Sequence, residues 1–193
     1  MSTRCNIMIE DGEKTRFLYH HHDGYPMFMG PKVEAFVEFI RDRAVTGADA
    51  WAELFVRYSQ VNYSIPREPD ATDLTPEELE EKSRRKMRGK PDFEHTDAIH
   101  RDIKYLWRID ISNPGAPVIR CEKVKTSNGR RHKINYLVAW KREIERSIEY
   151  VEGQRLAHVS SDPGLANELA ERIEELREEA NKLTKRIKAG EGK

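Results

Sequence analysis

The sequence predicts an α+β fold: an antiparallel sheet of about five strands covered on one side by helices, with a long coiled-coil-like helix at the carboxyl end. Three observations carry this. Ile103, Tyr105, Trp107, Ile109 and Ile111 alternate with Lys104, Arg108 and Asp110, the clearest period-two signal in the chain. Val33, Phe36, Val37 and Ile40 recur at helical spacing. Leu169, Ile173, Leu176, Ala180, Leu183 and Ile187 follow heptad steps among Glu, Arg and Lys.

In chain order, Cys5, Ile7 and Ile9 share one face of a first strand, Asp11-Gly12 turns it, and Phe17, Tyr19 and His21 share one face of a second. Asp23-Gly24 breaks that strand, since Gly tolerates the positive φ that a sharp exit needs. Pro26, Gly30 and Pro31 are expected to finish the loop, with Pro31 in the first turn of the helix that follows. That helix sets Lys32, Glu34, Glu38 and Arg41 on faces away from its apolar stripe and stops near Gly47. A second begins at Asp49 as N-cap and runs through Trp51, Leu54, Phe55 and Tyr58, whose rings and stems read as core over the sheet.

Composition shifts from Ser64 to Pro91, a charged, proline-containing insertion. Thr75-Pro76-Glu77-Glu78 is a helix start, and Lys82, Arg84, Arg85, Lys86, Arg88 and Lys90 place six cations in nine residues. This charge order suits a solvated helix and its dipole; the sharper reading is a patch that grips phosphates. Next, Asn113-Pro114-Gly115 turns the alternating strand, Val118 to Lys125 forms another, and Asn128-Gly129 leads into a strand from Arg131 to Ala139. The outward face of this hairpin carries several of Arg120, Lys123, Lys125, Arg130, Arg131 and Lys133, which protect an edge or bind a polyanion. Ile144, Ile148 and Val151 mark a helix after Trp140 that ends near Gly153. The organisation expected is thus an α+β domain over 1–153 and an amphipathic heptad helix over 163–189. From Leu165 to Lys188 that helix extends roughly 36 Å. Its stripe folds back onto the body or pairs with its twin, and the heptad with polar flanks favours a homodimer.

Ser2-Thr3-Arg4, a hairpin, and then Leu18, Tyr19, His21, Asp23, Gly24, Tyr25 and Pro26 form a string of the type Leu-Tyr-x-His-x-Asp-Gly-Tyr-Pro. In this opening, over about the first 45 residues, the chain resembles a family of small, mostly uncharacterised bacterial and phage proteins. The resemblance implies an intracellular protein of phage or prophage type and brings no reaction or catalytic residue.

Lys and Arg number 34 and Asp and Glu 34, so attraction to nucleic acid has to come from a local patch, and an acidic DNA mimic is not expected. A charged fraction of 35% and a mean hydropathy of −0.82 indicate much solvated surface. The amino terminus lacks the apolar core of a signal peptide and no run reaches a membrane span, so the expectation is a cytoplasmic protein with no membrane partner. Cys5 and Cys121 stand in no ligand spacing and read as reduced, packed thiols. No cofactor is expected.

The densest chemistry-bearing cluster is Tyr19, His20, His21, His22, Asp23 and Tyr25, read as a binding loop. On an extended strand His20 and His22 share a face where two ligands of one metal can lie, with Asp23 as a third and His95, Asp97 or His100 brought in by the fold. Adjacent histidines on a strand point to opposite faces, so no metal is expected here, and His21 is expected to pack under the loop with Tyr25. Ser2, exposed by loss of Met1, or Cys5 with a nearby imidazole offers a hydrolase nucleophile, again without a spacing signature. The expectation is therefore a non-enzymatic binding protein, dimeric through its last helix, that engages an unidentified protein, in a phage setting a host protein or defence complex. Nucleic-acid binding through Arg84, Arg85, Lys86, Arg130, Arg131 and Lys133 is the first alternative, and a hydrolase or metal enzyme the second.

Overall fold

The computed structural model describes residues 3–41, 43–61, 75, 92–125 and 130–191. Expectations placed on Ser2, on 64–74, on 76–91 with Arg84, Arg85 and Lys86, and on Asn128-Gly129 lie outside the described residues. The chain divides into two compact units, Met1–Ile134 and Asn135–Lys193.

The first unit holds a six-stranded sheet: β1 (Cys5–Glu10), β2 (Thr15–His20), β3 (Phe93–Thr96), β4 (Tyr105–Asp110), β5 (Val118–Val124) and β6 (Arg131–Ile134), in the order β3-β2-β1-β4-β5-β6. The sheet is mixed, which corrects the expected antiparallel sheet of about five strands. β1 runs parallel to β4, in the register Ile7 opposite Trp107 and Ile9 opposite Ile109, while the other neighbours are antiparallel. The cause is β3, a four-residue strand too short and too polar to show period two. It adds outside β2, so residues 97–104 must cross two strands before β4 can settle against β1, and such a crossover makes β4 parallel to β1.

That crossing covers the second face of the sheet. Ile103 and Leu106 are buried there with Tyr19, and Met8, Ile99 and Val124 pack around them. His100 donates its backbone N–H to Asn6 Oδ1 at 2.8 Å, and Asn6 Nδ2 donates to the Leu18 carbonyl at 2.9 Å, so the buried amide is satisfied on both sides.

The first face carries Cys5, Ile7, Ile9, Leu18, His20, Trp107 and Ile109 under two helices, α1 (Pro26–Arg41) and α2 (Ala48–Val61). On β2 the helix-covered residues are therefore Leu18 and His20, whereas Tyr19, read with Phe17 and His21 as one face of that strand, lies on the opposite side. Phe36 of α1 meets Phe55 at 4.7 Å and Trp51 at 5.8 Å, both edge to face, and this aromatic cluster ties the two helices together.

Two helix starts differ from expectation. α1 begins at Pro26, and Pro31 lies inside it, not in its first turn. α2 is capped from a distance. Asp11 accepts the Ala48 N–H at 2.8 Å through Oδ2, while Oδ1 accepts from Glu13 N and Lys14 N of its own turn. Asp49, expected as N-cap, instead sits in the first turn and pairs with Lys14 at 3.1 Å and with Arg16. One carboxylate thus shapes the hairpin turn and caps the helix above it, and these backbone N–H bonds hold the Asp11 carboxyl below its usual range.

The second unit is a helical hairpin of α3 (Tyr136–His158) and α4 (Pro163–Lys188). The strand expected to reach Ala139 stops at Ile134, because Asn135 caps a helix there by accepting the Val138 N–H at 3.1 Å. Gly153, expected near the end of that helix, lies within it. Asp162 caps α4 by accepting from Leu165 N at 3.0 Å, with Pro163 behind it. The helices pack along their length in antiparallel sense, closed at the turn half by Arg177 with Glu152 at 2.6 Å and at the open end by Asn135 Nδ2 donating to the Glu191 carbonyl at 3.1 Å. Of the two packings open to the heptad stripe, the folded-back one is present. Ile173, Leu176, Ala180 and Leu183 are buried, and Leu169 and Ile187 half-buried.

Among the described residues, no helix is long and apolar enough to cross a membrane.

Candidate functional site

The chain leaves β2 at His20 and enters α1 at Pro26, and five residues between them turn it back across the end of β1. The turn has two requirements. Asp23 takes the positive φ, 51°. Gly24 does not, which differs from the expected role of that glycine. Its need is space, since a Cβ there would stand 2.7 Å from Cys5 Cβ and 2.9 Å from the Arg4 backbone carbon. Gly24 N–H donates to the Thr3 carbonyl at 2.7 Å, so the loop is stitched to the strand it crosses.

Beneath this loop lies a buried cluster of polar groups in an aromatic setting. His20 is 4% exposed, stacked on Phe93 at 4.3 Å, and its Nδ1 lies 2.7 Å from the Asp92 carbonyl. A carbonyl only accepts, so Nδ1 carries the proton and Nε2 presents a bare lone pair. Burial pushes the imidazole down to about 4, with Lys32 adding repulsion, so His20 is neutral at pH 7. Lys32 is 7% exposed, with Nζ 4.6 Å from the centroid of Phe28 and 5.6 Å from that of Phe93, a cation held on ring faces. Its burial lowers its pKa, and burial raises that of Asp92, each opposed by the charge of the other. Cys5 is wholly buried, and burial pushes its thiol far up, so it stays protonated and lacks the thiolate that a nucleophile needs.

The other loop residues point elsewhere. Tyr19 donates to Asp102 at 3.2 Å, and Arg4 pairs with the same carboxylate. His21 meets the Tyr19 ring edge-on at 4.6 Å, and His100 stacks on Tyr19 at 4.0 Å. His21 also approaches Glu94 at 3.5 Å. It therefore packs on Tyr19, not under the loop with Tyr25 as expected, and Tyr25 faces Phe28 at 6.3 Å instead. His22 is exposed. His95 faces Glu53 at 3.4 Å on the helix side, away from His100. The imidazoles thus divide between the two faces of the sheet, and among the described residues no three His, Cys, Asp or Glu side chains gather as a metal site.

No family model, curated protein or solved structure matches this chain.

The basic positions split in a similar way. Arg131 and Lys133, opposite Val124 and Glu122, share the second sheet face with Arg120, whereas Lys123, opposite His132, faces the other way. Arg120 is met by Asp110 at 3.6 Å, and beside it Arg108 bonds Glu122 at 2.9 Å. What stays exposed is the edge, Arg130 through Lys133, on the outermost strand.

Sequence reasoning missed Lys32, Phe28 and Phe93 as members of the cluster, and Arg4 and Asp102 as its counterpart on the other face. A signal for Lys32 existed. Phe28, Lys32, Phe36 and Ile40 step by four along one stripe of α1, so the lysine assigned to another face belongs to the buried one.

Proposed function

We propose that this protein acts by binding protein surfaces, with the α3–α4 hairpin as its association arm and a second copy of itself as the first partner. One observation carries the reading. Of the four large apolar side chains exposed among the described residues, three lie on α3 and the residue after it: Tyr150 at 70%, Leu156 at 65% and Val159 at 50%. Leu156 and Val159, three residues apart at the end of α3, are neighbours and mark a contact surface there, with Tyr150 on the other flank of the helix. The heptad stripe of α4 is occupied by α3, so the surface that associates is the outer one. In the phage setting implied by the opening residues, a dimer built on this arm would bind and obstruct a host protein.

The test is the mass of the full chain beside that of a variant with Tyr150→Ser, Leu156→Ser and Val159→Ser, by sedimentation equilibrium. The expected outcome is a dimer for the first and a monomer of unchanged helicity for the second. Equal masses would remove the arm from the account.

A second reading rests on the β6 edge, where Arg130, Arg131, His132 and Lys133 are consecutively exposed. Such a run attracts phosphates as well as guarding a sheet edge. Binding of a fluorescent oligonucleotide that falls steeply with salt and disappears in Arg131→Glu with Lys133→Glu would support it; binding unchanged by both substitutions would end it.

A further inference from the structure

We propose that the outer edge of β6 takes up an extended acidic segment of another protein as an added antiparallel strand, with carboxylates two residues apart lying beside Arg131 and Lys133. The inference concerns the sheet unit alone and stands whether or not the hairpin associates.

Backbone geometry fixes what the edge offers. Lys125 N–H donates to the Arg130 carbonyl at 2.8 Å, so residues 125 and 130 form a bonded pair, and bonded and non-bonded pairs alternate along an antiparallel ladder. Arg131 therefore lies opposite Val124 without a backbone bond, His132 is bonded to Lys123, and Lys133 lies opposite Glu122 without one. The far side of β5 agrees, since Val124 turns its N–H away from β6 and donates it to the Lys104 carbonyl at 2.8 Å. Arg131 and Lys133 thus each point an N–H and a C=O out of the sheet. β6 is the last strand in the order, and among the described residues no other backbone group bonds these outward ones.

The side chains decide what can pair there. Residues 130–133 are exposed, and Glu122, the one acidic residue opposite β6, is engaged by Arg108 at 2.9 Å and leaves the positive charge of the edge standing. Neither a proline nor a bulge interrupts the strand, so charge is its guard, and charge turns away basic strands while admitting acidic ones. A second copy fits badly. β6 laid on β6 sets arginine and lysine against their own kind, and like charges directly opposite each other destabilise a ladder. Nucleic acid, the occupant considered above for the same edge, suits the charge but not the backbone. A phosphodiester only accepts hydrogen bonds, so the two outward carbonyls would face it without a donor, and β6 carries no Phe, Tyr or Trp for a base to stack on. An acidic strand meets both requirements. Its own N–H and C=O groups pair with those of Arg131 and Lys133, and residues directly opposite each other share a face, so its carboxylates stand beside the two cations.

The test titrates the full chain, labelled with nitrogen-15, with the capped peptide Thr-Val-Glu-Val-Glu-Val-Thr at low salt. At saturation, exchange of the Arg131 and Lys133 amides with solvent is expected to slow about tenfold or more, while the His132 amide, already bonded to Lys123, is unchanged. Methylating the backbone nitrogens of both glutamates, which point at β6 in this register, is expected to abolish binding, whereas methylating those of two valines, which point away, leaves it in place. Glutamate-methylated and unmethylated peptides that bind alike would show that charge alone attracts them and would overturn the added strand. A single-stranded oligonucleotide of equal charge that displaces the peptide would assign the edge to nucleic acid, and no binding at millimolar peptide would remove the proposal.

Discussion

In the sheet unit the buried side chains that meet come from far apart in the chain, Ile7 beside Trp107 and Cys5 beside both His20 and Tyr105, and the core is built from rings and β-branched residues. In the hairpin unit the described residues span 57 positions in two consecutive helices, and the buried side chains form one stripe on each of two heavily charged helices. The first arrangement suits holding a loop rigidly; the second leaves most of its surface outside. This difference is why buried polar chemistry collects under the Tyr19–Pro26 loop, while exposed apolar side chains collect on α3.

The largest effect should separate the two units. Trp51 is 1% exposed and packs edge to face on Phe36 of α1, and Trp51→Ala should cost the sheet unit about 3–5 kcal/mol. Urea unfolding followed by fluorescence should show that loss, while a helical transition from the hairpin stays in place. A single transition lowered as a whole would mean that the two units unfold as one and would break the comparison.

Acid should also act on the sheet unit first. The folded pKa of His20 is about 4, below the 6.5 of a free imidazole, so folding favours the neutral form. Stability from this group is complete above pH 6.5, falls as pH drops through that value, and is lost by about pH 4, a change on the order of 3 kcal/mol. Asp11, Asp49 and Asp110 have lowered pKa values and titrate later, whereas burial raises that of Asp92, which adds a slope of opposite sign to that of His20. Chemical denaturation between pH 7 and 4.5 should therefore show a slope that His20→Phe removes. A slope of equal size in the variant would assign the acid sensitivity to other groups.

The smallest effect belongs to the hairpin. Asn135→Ala removes the α3 cap and should cost roughly 1 kcal/mol, seen as a lower melting point of the helical signal without loss of the sheet. A loss of several kcal/mol would show that this residue holds more than a helix end.

The comparison also explains what was legible. The alternating strand around Trp107, the two helices through Phe36 and Trp51, and the heptad of α4 all announce themselves by local period, and the structure has an element at each. Parallel pairing of β1 with β4 was not legible, because it follows from where four polar residues, Phe93–Thr96, join the sheet. The start of α3 at Tyr136 was hidden for a different reason. His132, Ile134, Tyr136 and Val138 alternate well enough to continue the strand, and only the Asn135 cap decides otherwise. At the candidate site the loop itself was readable from Asp23-Gly24, but its contents were not. Burial of Lys32 depends on the Phe93 ring of β3, and the wide separation of His95 from His100 depends on the crossing at 97–104.

The most direct measurement of the central claim is the solution mass of the full chain by light scattering across a range of concentrations. Association through the hairpin predicts a mass that approaches twice 22.5 kDa as concentration rises. A mass of one chain at every concentration and salt would contradict it, and would return Tyr150, Leu156 and Val159 to the ordinary exposed surface.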